Sequence, residues 1–253
     1  MVRESQAIQN VVLYPYQDWP DESAGGDLLR FRLLYDGPLP SNARVQAKHA
    51  IRREFHRQLR ELWNRNELLS GWLRYQWIGP KAEENPNKTY AQVLAENYAL
   101  GEFKFLPLVT KEHGLACAIN ILMLRRDPPS GPVDNRGDID NRLKTLFDAL
   151  QRPIENNQIR GCHPNESETP FFCLLENDRL ITEICVATDR LLIPLKPQEN
   201  ISDVRLVLDV KILVTDPRRA DVEFWSGAWE EDDRGVQHLR PGNQINPPDA
   251  TTP

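Results

Sequence analysis

Residues 137–151 read GDIDNRLKTLFDALQ. Asp138 and Asp140 stand two apart, and Lys144 follows Asp140 by four. If the approach to this stretch is extended, both carboxylates point to one side, because side chains alternate along a strand. If helix begins there, Lys144 lies one turn beyond Asp140 and faces the same place. Like charges this close repel unless a cation lies between them. Lys144 offsets one charge, whereas a divalent metal offsets both, and hard carboxylate oxygens are the ligands that magnesium takes. A calcium loop is a competing reading, since D-x-D-N opens like an EF-hand. It fails further on, with Leu143 at the sixth loop position, where glycine is needed, and Ala149 at the twelfth, where glutamate is needed. A purely structural reading also stands. In it Asp140 caps the helix, Asp138 serves the turn, and Lys144 pairs with Asp140.

The elements that position these residues follow from periodicity. Residues 28–35, LLRFRLLY, form an apolar-rich strand stopped by the turn residues of DGPLPSN. Residues 45–64 read as a helix, with Val45, Ile51, Phe55, Leu59 and Trp63 on one stripe. Its other faces carry Lys48, Arg52, Arg53, Arg57 and Arg60, which suit either a solvated face or one turned toward nucleic acid. Residues 65–111 read as an insertion with its own small apolar face, in which Trp72, Tyr75 and Trp77 serve a core or a dimer contact rather than base stacking. Residues 115–125, LACAINILMLR, are a strongly apolar strand, and a loop rich in proline and glycine follows. The helix predicted over 141–151 buries Leu143, Leu146, Phe147 and Leu150, and Pro153 ends it. After a polar loop, strands are expected over 179–188 and 203–215. The order predicts an α/β (α+β) fold, a small mixed sheet with helices packed on it. Residues 1–27 are then an N-terminal extension, 28–215 the main domain, and 216–253 an acidic tail whose last 15 or so residues are expected to be disordered.

Composition narrows the class. No window approaches the roughly 18 apolar residues of a membrane helix. MVRESQAIQN lacks the apolar region of a secretory signal, so a cytoplasmic protein is expected. The four cysteines form no CxxC pair, which argues against a disulfide framework or a zinc ribbon. Cys162-His163 is half a metal site with no second pair to complete it. The net charge of −6 speaks against a nucleic-acid partner until its distribution is considered. Residues 41–150 hold 17 Lys+Arg against 13 Asp+Glu, while the acid gathers at the two ends.

The longer pattern D-x-D-N-x-x-K-x-x-x-D-A-L, with LLENDRLITEI after it, resembles the RusA family of Holliday-junction resolvases. FRLLYDGPLPSNAR is similar to that family's first strand and proline-containing loop, and VRLVLDVKIL to its final strand. The resemblance covers residues 28–63, 115–151 and 174–215. The segments 65–111 and 153–172 and the tail lie outside it. It implies a magnesium-dependent (Mn²⁺ as an alternative) endodeoxyribonuclease of DNA recombination and repair, acting as a homodimer on branched DNA. Asp138, Asp140 and Asp178 would hold the metal, and Lys144 would be the catalytic lysine. Asp148 would be structural. Where the family often has two adjacent acids before the last strand, the first is Asn177 here. Glu176 and Glu183 are nearby acids without an assigned role. Arg136 and Arg142 flank the site and suit either backbone phosphates or plain surface positions; Arg52 and Arg53 are further candidates for DNA contact. The rival readings are a nucleic-acid-binding protein of the same fold without catalysis, a nuclease for flap or other branched DNA, and a regulatory protein in which D-x-D-N merely starts a helix.

Overall fold

The computed structural model describes residues 27–76, 87–126, 139–193 and 202–215, together with the backbone of 229–231 and 237–239. Four strands, β1 (Asp27–Pro38), β4 (Leu115–Arg125), β6 (Ile181–Arg190) and β7 (Asp203–Val214), form one sheet in the order β1-β7-β4-β6. The first two contacts are antiparallel, whereas β4 and β6 run parallel. Alternation builds β1: Phe31, Leu33 and Tyr35 enter the core, and Arg30, Arg32 and Asp36 lie on the other face. There Arg30 donates to both oxygens of Asp209 at 2.9 and 3.0 Å, and Arg205 donates to both of Asp36 at 2.9 and 2.8 Å. Such surface pairs, one of them half-buried, are each worth about 1 kcal/mol, but a one-residue slip would break both, so they mark the register. Gly114, at φ +60°, closes the turn into β4, where Leu115 N–H bonds back to the Thr110 carbonyl.

A second sheet departs from the expected layout. It consists of β2 (Ala99–Leu100), β3 (Phe103–Val109) and β5 (Phe171–Leu175) in the order β2-β3-β5, with β3 and β5 parallel. Segment 65–111 is therefore not an appendage with a core of its own. Trp72, Leu94, Phe103 and Phe105 join the same core as Leu33 and Leu208. Likewise FFCLLENDRLITEI is two strands in two sheets, split by a single tight turn at Asp178–Leu180. Trp72 is buried, as expected of a core residue, Tyr75 is half-buried, and Trp77 lies outside the described residues.

Helix α1 (Val45–Arg65) packs against β1 and β5, and on its flanks against α2 (Glu67–Arg74) and α4 (Ile139–Leu150). Its predicted stripe is buried at Ile51, Phe55, Leu59 and Trp63, and the buried face is widened by His49, Arg52, His56 and Leu62. Helix α3 (Tyr90–Asn97) starts with a capping box in which Thr89 and Gln92 bond each other's backbone. It packs on α2 and β3. Cys117 and Cys173 are core thiols, pushed up to about 12 by burial and therefore inert at neutral pH. No helix among the described residues is long and apolar enough to cross a membrane. Of the tail, the backbone of β8 (Trp229–Glu231) and β9 (Gln237–Leu239) forms an antiparallel pair. Residues 1–26 of the N-terminal extension and the residues expected to be disordered lie outside the described ones.

Two histidines on α1 make folding pH-dependent. His49 and His56 are each 2% exposed and pack on Phe171, with ring centroids 5.6 and 4.4 Å away. Burial lowers both to about 4; Arg52 adds to the effect on His49. His56 Nδ1 accepts the Phe172 N–H at 2.9 Å, so the neutral ring carries its proton on Nε2, facing the Ser167 carbonyl. A second proton would set two donors against each other. The unfolded chain binds these protons near pH 6.5 and the folded chain only near 4, so stability is full above that window and falls as pH drops through it. Each histidine should contribute a slope that grows from about 0.7 kcal/mol per pH unit at pH 6.5 to about 1.2 near pH 5. Urea unfolding across that interval checks this. His56→Gln should remove about one proton's worth of slope, and a pH-independent stability would contradict the account.

Candidate functional site

The predicted site centres on α4, and its buried face is rotated from the expected one. Arg142, Thr145, Leu146, Ala149 and Leu150 are buried, while Leu143 and Phe147 are half-buried. Arg142 is 2% exposed and its Nη1 donates to the Leu39 carbonyl at 3.3 Å. It anchors α4 to the end of β1 and does not present a charge to phosphates. A hydrophobic-only count of the helix misses this because the long arginine stem fills a core position while its head finds a carbonyl.

Rotation of the helix in this sense leaves Asp140 and Lys144 exposed. Asp140 sits inside the first turn, and among the described residues its Oδ1 accepts only the neighbouring Asn141 N–H at 2.8 Å. It is therefore not the cap that a structural reading supposes. Lys144, one turn on, makes no hydrogen bond or ion pair with any described residue, Asp140 included. An acid and a cation at i, i+4 normally gain a few tenths of a kcal/mol by pairing, and here both heads remain available. Asp138 and Arg136 lie outside the described residues.

Asp178 is placed elsewhere. Parallel pairing sets the start of β6 beside the start of β4, so the turn before β6 falls at the C-terminal end of α4. There the Asp178 N–H donates to Gln151 Oε1 at 3.1 Å, and Leu175 accepts the Arg152 N–H. From Asp140 to Gln151 the helix rises roughly 16 Å, at about 1.5 Å per residue. One ion with bonds of about 2.1 Å does not reach Asp140 and Asp178 of one chain. Among the described residues no three His, Cys, Asp or Glu side chains come together as a metal cage. Asn177 has a local task, its side chain accepting the Arg179 N–H at 2.9 Å. Glu176 is engaged by the Lys111 N–H at 2.8 Å, and Glu183 is exposed on β6.

Arg52 and Arg53, also expected to face DNA, hold partners within the protein. Arg52 is 3% exposed; its Nη2 donates to the Asp148 carbonyl at 2.7 Å and its Nε to the Gln151 carbonyl at 3.3 Å. A cation on the last carbonyls of α4 satisfies groups the helix cannot and complements its dipole. Arg53 binds both oxygens of the buried Glu168 at 2.7 and 3.1 Å, and the His163 carbonyl at 2.8 Å. Asp148, expected to be structural, pairs with Lys48 at 2.5 Å and ties α4 to α1. Gln151, which fixes the Asp178 turn across 27 residues, carries no signal in the sequence.

No family model, curated protein or solved structure matches the chain. Its residues alone carry the functional reading. Mg²⁺ commonly keeps several waters and takes one or two carboxylates with substrate phosphate. Asp140, exposed at the start of a helix and two residues after Asp138 in the D-x-D motif, fits that kind of site; Asp178 of the same chain does not.

Proposed function

We propose that the chain is a divalent-metal-dependent endodeoxyribonuclease that hydrolyses a phosphodiester of branched DNA, acting in the cytoplasm as a homodimer. The observation that carries this reading is Lys144, without a partner among the described residues, one turn from the exposed Asp140 in a motif resembling that of the RusA resolvases. Asp138 and Asp140 would hold Mg²⁺ or Mn²⁺, which when bound supplies a water of lowered pKa and a Lewis acid toward the phosphoryl oxygen. Lys144 would then steady the charge that builds on the phosphate. Arg142 holds the helix in the rotation that exposes both side chains. Because Asp178 lies at the far end of α4, a second copy is the source of the third carboxylate. Two-fold pairing brings the same patch of both chains together and generates two equivalent sites, which is what two matched nicks across a four-way junction require.

The test is a labelled four-way DNA junction incubated with Mg²⁺, with EDTA, and with the Asp140→Asn variant. Paired nicks that need both metal and Asp140 are the expected result. A second reading, a nucleic-acid-binding protein of this fold without catalysis, is favoured by the position of Asp178 at the opposite end of α4 from Asp140. It predicts tight junction binding and no nicks with either metal.

A further inference from the structure

A cleft of ≈ 500 Å³ lies between the first turns of α1, the end of α4 and the segment after Pro153. Five cations line it, Arg44, Lys48, Arg52, Arg152 and Arg160, against one carboxylate, Asp148. Three of these have partners that fix them in place. Lys48 pairs with Asp148, Arg52 holds the carbonyls of α4, and Arg152 lies 4.8 Å over the Tyr98 ring while donating to the Pro153 carbonyl. Arg44 and Arg160 are exposed and make no side-chain hydrogen bond or ion pair with any described residue. Gln46 bridges the two sides, its Nε2 donating to the Arg160 carbonyl at 3.4 Å. The wall behind the two free guanidiniums is thus itself cationic, and the single acid present is already neutralised. An anion entering the cleft meets little repulsion and two planar forks that match phosphate oxygens.

We propose that this cleft binds backbone phosphates of a nucleic-acid strand and leads it to the Asp178 end of the site. The lining holds no aromatic ring to stack a base, so the contact is to phosphates and indifferent to sequence. Gln151 lines the cleft and its side chain receives the Asp178 N–H, so a strand seated there passes beside the turn that carries Asp178. Arg160 belongs to the segment outside the family resemblance, which makes this a property of the present chain. The choice of nucleic acid over a small phosphate rests on the proposed nuclease function.

Binding in EDTA separates the two ideas, because it needs no cleavage. Anisotropy of a labelled duplex and a labelled junction over a series of NaCl concentrations compares wild type, Arg44→Ala/Arg160→Ala, and Arg65→Ala as a control at the far end of α1. Each lost phosphate contact removes about 0.9 from the slope of log affinity against log salt, so the double variant should lose nearly two and bind about ten-fold more weakly at moderate salt. The control should bind like wild type. An unchanged slope, or an equal loss in the control, overturns the proposal. So does thermal stabilisation by inorganic pyrophosphate that vanishes in the double variant while DNA affinity stays unchanged, which would mark a small-phosphate site. A protein that binds through the cleft but never cuts with metal keeps this proposal and removes the nuclease reading; one that cuts without these arginines does the reverse.

Discussion

Asp140→Asn is expected to lower Mg²⁺-dependent junction cleavage by about 10³-fold, on the order of removing a group that stabilises charge in the transition state, while leaving the fold intact. Asparagine keeps the volume and the acceptor that takes the Asn141 N–H, but it removes the charge a metal requires. Because Asp140 is exposed and makes no ion pair with any described residue, losing that charge should cost the folded state only a few tenths of a kcal/mol. A variant that is stable and still binds DNA, yet is inactive, is the pattern expected. Lys144→Ala should behave likewise with a smaller loss. A variant that loses activity and stability together would point instead to a structural aspartate.

Arg53→Ala is expected to be the most damaging of the ion-pair changes in stability. Glu168 is 3% exposed and sits in the segment that runs from α4 to β5. Burial alone would raise its pKa, yet hydrogen bonds from Arg53 and from the Asn165 backbone hold it below the usual carboxylate range. Truncating the arginine leaves a buried charge without its main partner. Fully buried pairs lose about 3–5 kcal/mol in this way. Arg53 is 37% exposed, so water recovers part of that, and about 2–3 kcal/mol is expected. For a chain of this size that lowers Tm by about 5–10 °C. Glu168→Gln should cost less, about 1 kcal/mol, because the remaining arginine turns to solvent. Thermal unfolding of both variants checks the asymmetry, and equal costs would contradict it.

Long periodic segments were readable in the sequence. β1, α1, β4 and β7 fall within a few residues of their expected bounds because each buries one face at a regular spacing or forms a long apolar run. β3 and β5 escaped for a physical reason. Parallel strands buried on both faces do not alternate, so FKFLPLV looked like part of an insertion, with Pro107 arguing further against a strand. FFCLL merged with the strand after it for the same cause. The motif drew attention to Asp140 and Lys144, and both side chains are exposed. The separation of Asp178 from them was not legible, since it depends on β4 and β6 being parallel, which no local pattern states. Nor was the burial of Arg52 and Arg142, because a charged residue enters a core position only when a distant carbonyl, here that of Asp148 or Leu39, receives it.

The most direct test of the account mixes two inactive proteins. Asp140→Asn and Asp178→Asn are each purified, combined under conditions that exchange subunits, and assayed with Mg²⁺ on a labelled junction. If each site takes Asp140 from one chain and Asp178 from the other, the mixed dimer holds one intact site. Single nicks should then appear in the mixture and in neither parent alone. A mixture as inactive as its parents, beside an active wild type whose subunits exchange, would contradict a site shared between two copies.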